Sequence, residues 1–406
     1  MFKAFIYALI VSTLINYGRG ESSEIQIGIA SEEGMNELKL LALADYIDDN
    51  PRLSIFSILI SKNGKLVFEL YTGQIKQDYS HYLMSVTKSV LSTLIGIAID
   101  QRKITSENTP LSEVIPKKLL SSKRLVEAFS KVNLQNVMGM SALNTPDPPR
   151  DMSAAARARQ DKYLNSSNYM KFLVEQPFIR NIGKAFLYND ETPTLASGIL
   201  SYTTGLSAFD YGCDTLFKDL NCKNMEWMHS DRTGINMGGY GLRLRPLDMQ
   251  KIGITILQKG KWQDKQVVSS AWVEKIYQPY ISSSGVNAPP NYGWYWWRPN
   301  YGSSKTFLEA NGWKGQRIAI QPDLGLVVTM TGCLERERCD EQKVFSDIMS
   351  KYVIPAAKGP GTSAPNNSIE EKLQKINNGQ ARFNKTMEPR MIPSVALKEQ
   401  AVPFKD

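Results

Sequence analysis

Ser85 and Lys88, in the run Ser85-Val86-Thr87-Lys88, are the residues whose types and spacing best suit chemistry. Residues three apart on a helix share a face, so this spacing brings the lysine amine to the serine hydroxyl. At a helix N-terminus the hydroxyl also lies among free backbone N–H groups and the positive end of the helix dipole, which favour a developing oxyanion. The pair forms a nucleophile with its base if the lysine loses its proton near neutral pH. Burial beside a second cation or a phenol would lower its pKa and permit that. The same spacing fits a capping serine with a surface lysine, so the surrounding elements carry the decision.

From Ser85 to Gln101, Val86, Val90, Leu91, Leu94, Ile95, Ala98 and Ile99 make a strongly apolar helix, which implies burial between layers. Before it, residues 53–61 and 65–72 flank Lys62-Asn63-Gly64, and Asn-Gly predicts a tight hairpin turn. Residues 35–49 predict a helix ending at Asn50-Pro51. Residues 102–270 carry helical patterns and turn signals and predict an inserted helical subdomain. Strand-like runs return at Gly293–Trp297, Lys305–Ala310, Arg317–Gln321 and Leu326–Thr331, and residues 345–354 predict a last helix. Sheet at both ends with helices between predicts an α+β fold, an antiparallel sheet flanked by helices and split by the insertion.

The chain has 406 residues, 42% hydrophobic and 22% charged, which excludes low-complexity, collagen-like and coiled-coil classes. Residues 1–20, with Lys3 and an apolar run from Phe5 to Ile15, predict a cleaved signal peptide, hence export to a periplasm or the medium. Residues 21–357 form the expected domain and 358–406 a polar, mobile or loosely docked tail. Of the net charge of +8, the leader holds +2 and the tail +3, leaving a scattered +3 and no basic stripe for nucleic acid. No later segment is long and apolar enough to span a bilayer. In an oxidising compartment, Cys213 with Cys222 and Cys333 with Cys339 are the favoured disulfides; a zinc site is disfavoured by their spacing and the lack of neighbouring histidine. The two histidines, His81 and His229, read as packed or loop residues, and His229-Ser230-Asp231 has no triad geometry because adjacent residues point apart. Trp294, Trp296 and Trp297, with Tyr292 and Tyr295, fit either a cleft wall or core packing.

Residues 81–101 closely resemble the active-site helix of the serine beta-lactamase-like superfamily, which includes class C beta-lactamases, D-alanyl-D-alanine carboxypeptidases, esterases and 6-aminohexanoate-dimer hydrolase. The likeness continues in order through residues 104–116, 132–141, Phe186–Asp190 and Gly238–Gly253, across roughly residues 40–355. The resemblance implies a beta-lactamase/transpeptidase-like fold, with Ser85 as acylated nucleophile, Lys88 as its base and Tyr188 as proton relay to the leaving group. It further implies substrate contacts from the Tyr-x-Asn region, where Asn189 follows Tyr188 directly and Asp190 takes the usual Asn place. Around the place of the family's Lys-Thr-Gly strand the chain reads Leu308-Glu309-Ala310-Asn311-Gly312-Trp313-Lys314-Gly315-Gln316, with no cation at the lysine position and Lys314 displaced; the resemblance implies Asn311, Gly312 and Trp313 as substrate and oxyanion contacts. Gly312-x-x-Gly315-Gln316 resembles the form near 6-aminohexanoate-dimer hydrolase. It implies hydrolysis of a small or peptide-like amide or ester without metal or organic cofactor. Beta-lactam or peptidoglycan-peptide hydrolysis is an alternative, and a non-catalytic binding module that kept the fold is another.

Overall fold

The computed structural model describes residues 25–72, 75–145, 153–228, 230–279, 291–334, 340–365 and 368–378. Strands β1 (Ile55–Lys62) and β2 (Lys65–Tyr71) form the expected hairpin. Asn63 and Gly64 take φ of 53° and 84°, the doubly positive pair that a two-residue turn needs to keep the strands' right-handed twist. Both faces of β1 are covered, which explains its nearly unbroken apolar run.

The hairpin sits at one edge of a seven-stranded antiparallel sheet in the order β2-β1-β12-β11-β10-β9-β8. The later strands are β8 (Tyr292–Gly293), β9 (Trp296–Trp297), β10 (Leu308–Gly312), β11 (Gln316–Gln321) and β12 (Leu326–Gly332). Alternation along β1 and β12 divides the core. Phe56, Leu59 and Val327 face the layer holding the helices Val86–Asp100 and Pro246–Leu257. Ile58, Ile60, Val328 and Met330 face the helices Glu37–Asp49 and Glu341–Ile348. The latter continues through a π turn at Met349–Val353 into Ile354–Lys358. Buried Gln250 bonds Ser61 and Thr329, tying the helix Pro246–Leu257 to β1 and β12. Gly253 lets that helix approach closely, since a Cβ there would lie 2.5 Å from Val327.

Between the sheet's two halves lie the expected short helices, among them Leu134–Met138, Ala154–Leu164, Tyr169–Val174 and Glu191–Thr204. A small sheet joins β3 (His81–Tyr82), β5 (Leu242–Leu244) and β4 (Glu226–Trp227), and β6 (Lys261–Trp262) pairs with β7 (Lys265–Gln266).

Several expectations are corrected. Residues 102–270 are not one separate insertion, because Pro246–Leu257 buries its apolar residues on the main sheet. Gly293–Trp297 is not one strand: Trp294 and Tyr295 take φ of 58° and 66° and turn the chain between β8 and β9. The tail is docked where it is described. Its helix Ser368–Asn377 packs on Glu37–Asp49 and β2, burying Ile376 and placing Lys372 2.8 Å from Asp45 and 2.9 Å from Asp48. Cys213 and Cys222 are free thiols. Each is fixed by local hydrogen bonding, Cys213 within the helix Ala208–Asp214 and Cys222 through its N–H on the Phe217 carbonyl, so that loop is ordered without a staple. Burial first, then Asp210 and Asp214, pushes the Cys213 thiol up to about 11. Cys339, and so the second expected pairing, lies outside the described residues, as do residues 1–24 and His229.

Candidate active site

The helix Val86–Asp100 is central: all of Val86 to Ala98 is buried. Its entry is set by the small sheet, because the Leu83 N–H bonds the Leu242 carbonyl and the Thr87 hydroxyl accepts the Leu242 N–H. Met84 takes φ of 50°, an uncommon conformation for a residue with a Cβ, and this turn delivers Ser85 to the helix start. Gly96 admits the Trp272 ring, which a Cβ would meet at 2.3 Å.

Lys88 is 1% exposed and donates three hydrogen bonds: to Ser85 Oγ at 2.9 Å, Asp190 Oδ1 at 2.5 Å and the Gly239 carbonyl at 2.8 Å. Three acceptors around one Nζ match the three protons of an ammonium. Burial pulls its pKa down, but the Asp190 carboxylate and then the Tyr188 phenol outweigh burial, and the net direction is upward. The expectation of a depressed lysine pKa is therefore overturned, because the cation's neighbour is a carboxylate. The Lys88 Nζ lies 4.8 Å from the centre of the Tyr188 ring. Tyr188, distant in sequence, thus joins the neighbouring Ser85 and Lys88 in one half-buried site.

Asp190 is 38% exposed at its side chain, so one side of the ion pair meets solvent. Asn189 does not reach the cleft. It is 2% exposed, its Oδ1 accepts the N–H groups of Glu191 and Thr192, and its Nδ2 donates to the Leu187 carbonyl; it caps the helix Glu191–Thr204. Asn311 is likewise directed away, with Nδ2 on Glu309 at 2.8 Å and on Gln342 at 3.4 Å, because strand alternation sends Ala310 and Gly312 to the Ser85 side instead. A Cβ on Gly312 would lie 2.4 Å from the Leu83 carbonyl and 3.3 Å from Val86, so only glycine lets β10 approach the helix entry. Trp313 follows, 47% exposed, and its ring centre lies 4.9 Å from Lys314 Nζ.

Contributions absent from the sequence reading come from Gly239 and from Glu191 with Arg159. Gly239 supplies a lysine acceptor, and a Cβ there would lie 2.7 Å from the Asp190 Cβ; Gly238 similarly abuts the Pro193 carbonyl. The Gly238-Gly239 pair was the available signal, since consecutive glycines mark close backbone approach. Arg159 grips Glu191 with both Nη atoms and Gln176 with Nε at 3.1 Å, fixing the helix that starts after Asp190. Phe186, Tyr188, Tyr292 and Trp297 form an aromatic cluster with ring centres 4.6–6.5 Å apart. His81 is packed against Phe56, and burial first, then Arg243, lowers its pKa to about 3, so it stays neutral. Asp231 accepts from the backbone of Tyr169, Thr233 and Ile235 as a loop anchor.

The Beta-lactamase family model matches residues 43–332. The 6-aminohexanoate-dimer hydrolase of Paenarthrobacter ureafaciens is 23% identical over 284 residues, 67% of this chain and 71% of that protein. Among solved structures, the hydrolase EstCE1, which has promiscuous acyltransferase activity, superposes with a TM-score of 0.61 at 13% identity, covering 80% of this chain and 100% of its own. A penicillin-binding protein homologue from Caulobacter crescentus gives 0.59 at 12% identity, covering 76% of this chain and 92% of its own. At these identities the superpositions establish the beta-lactamase/transpeptidase-like fold, and the family match extends through the sheet and the Ser85 helix. The chain belongs to the Beta-lactamase family and is a serine hydrolase.

Proposed function

We propose that the chain hydrolyses an uncharged ester or amide through an acyl-enzyme on Ser85. The observation that carries this reading is the 2.9 Å contact between the buried Lys88 amine and the half-buried Ser85 hydroxyl, with Tyr188 against the same lysine. In the free enzyme Lys88 is an ammonium paired with Asp190. As Ser85 Oγ attacks the carbonyl, Lys88 passes a proton across the 2.5 Å contact to Asp190 and takes the serine proton, so Asp190 becomes neutral, Lys88 stays an ammonium and the oxyanion carries the balancing negative charge. The Ser85 and Trp313 backbone N–H groups receive that oxyanion. Tyr188 then protonates the leaving group and recovers a proton from the Lys88–Asp190 pair. Water attacks the acyl-enzyme by the reverse route and restores Ser85.

Acyl preference follows from the missing cation. Ala310 occupies the strand position where a lysine would meet a substrate carboxylate, and Lys314 lies instead beside Trp313 and 3.9 Å from Cys333. The partly buried Phe186, Tyr188 and Trp297, with exposed Trp313, favour an apolar or flat acyl group. We further propose export through the N-terminal leader.

The test is turnover of a short-chain p-nitrophenyl ester by wild type beside Ser85→Ala, with intact mass read in the first seconds. Turnover and a covalent adduct that both disappear in the variant support the reading. A variant that turns over as wild type does, or a wild type without turnover or adduct on esters and amides, removes it.

A further inference from the structure

Beneath the proposed oxyanion site lies an ion pair that the reaction sequence does not use. Arg317 on β11 and Glu309 on β10 are each 1% exposed at the side chain and stand 3.8 Å apart. Both project to the sheet face opposite Ser85, where the Arg317 guanidinium stacks 5.7 Å from the Phe345 ring centre. Burial first raises the Glu309 carboxyl, to about 7, with Arg317 and Asn311 opposing. An arginine enclosed this way costs stability unless its donors are used. Its Nη1 donates to the Gly312 carbonyl at 2.6 Å and to the Gln316 carbonyl at 2.9 Å.

The Gly312 carbonyl and the Trp313 N–H belong to one peptide group, which is trans, as are all the described peptides. In a trans peptide the C=O and N–H vectors point in opposite directions. A carbonyl drawn to the β11 side therefore turns the Trp313 N–H toward the far edge of β10. That edge is open there, since β9 pairs with β10 only at Glu309. We propose that Arg317 is a positioning residue that sets the oxyanion donor: it clamps the Gly312 carbonyl so that the Trp313 N–H faces the acyl oxygen on Ser85. Glu309 stands 3.8 Å from the Arg317 Nε, on the side of the guanidinium away from Nη1. This inference rests on the acyl-enzyme reading above.

The experiment compares wild type, Arg317→Lys and the double variant Glu309→Gln/Arg317→Met by stopped-flow acylation and by infrared difference spectroscopy of the acyl-enzyme carbonyl. Arg317→Lys keeps the charge but loses the forked donor. The double variant removes both charges and guards against a fold lost to an unpaired Glu309. Loss of a full oxyanion donor costs about 10²–10³ in kcat, so a misaimed one is expected to slow acylation about tenfold or more with KM nearly unchanged. The acyl carbonyl band is expected to move to higher frequency, toward that of the free ester, because it is less polarised. A folded variant of either kind with wild-type acylation and an unshifted band overturns the clamp. Absence of any acyl band in wild type overturns the acyl-enzyme reading itself, a separate outcome.

Discussion

Replacing Asp190 by Asn tests the charge logic of the site, since it restores the family's usual residue type and removes the carboxylate that holds the Lys88 proton. The Lys88–Asp190 contact is 2.5 Å. Two unit charges at that distance interact by about 1.7 kcal/mol in bulk water and by several times more in a protein-like dielectric. Because the Asp190 side chain is 38% exposed, the water-like figure is the appropriate one. The sign follows from the protonated partner: a neighbouring carboxylate raises the lysine pKa, so Asp190→Asn lowers it. In wild type the ammonium is the working form because Asp190 takes its proton; in Asp190→Asn that acceptor is gone, so kcat/KM is expected to rise toward alkaline pH as Lys88 loses its proton to solvent. The plateau is expected to fall by about 10²–10⁴, the usual worth of a positioned acid–base group, because the serine proton loses its terminal acceptor. Ester hydrolysis by wild type and variant from about pH 5 to about pH 11, corrected for background, supplies the assay. Parallel pH profiles for the two proteins refute the assignment of Lys88 as the base under Asp190's control.

Other consequences are as concrete. Gly239→Ala places a Cβ 2.7 Å from the Asp190 Cβ and is expected to displace the lysine's carbonyl or carboxylate partner, lowering kcat about 10²-fold in steady-state assays while the protein stays folded by circular dichroism. Arg159→Ala strands the 6%-exposed Glu191 carboxylate and is expected to cost about 3 kcal/mol in urea unfolding, a loss that Arg159→Lys partly restores. Ending the chain before Ser368 removes the buried Ile376 and the Lys372 contacts to Asp45 and Asp48, so about 2 kcal/mol of stability is expected to go. Ester turnover should persist at a temperature below the lowered midpoint, since that helix packs on Glu37–Asp49 and β2 rather than at Ser85. If the leader is a cleaved signal, the secreted or periplasmic protein will have an intact mass lacking about the first 20 residues, the usual signal-peptide length; a full-length mass there refutes cleavage.

Local patterns were legible where a single segment sets its own conformation. Asn63-Gly64 specifies a turn, the apolar density of residues 86–99 specifies a helix between layers, and Ser85 three residues from Lys88 specifies their contact once that helix exists. Tyr188 and Gly312 came through family resemblance, and the structure brings both to the same helix entry. Capping and strand alternation decided against Asn189 and Asn311. Their side chains are amides that suit a substrate as well as a helix end or a neighbouring strand, and composition does not distinguish these uses. Bulky Trp294 and Tyr295 concealed a turn because neither residue type signals positive φ. The docked helix Ser368–Asn377 was hidden by a polar segment with a single fully buried apolar residue, Ile376.

The amino-acid sequence by itself determined the helix that Ser85 opens and the opening hairpin, because each depends on residues within a few turns of one another. Tertiary structure alone decided the protonation of Lys88. Asp190 arrives from a helix entry 102 residues away and the Gly239 carbonyl from a segment 151 residues away, and a pKa answers to charges in space rather than to neighbours in the chain.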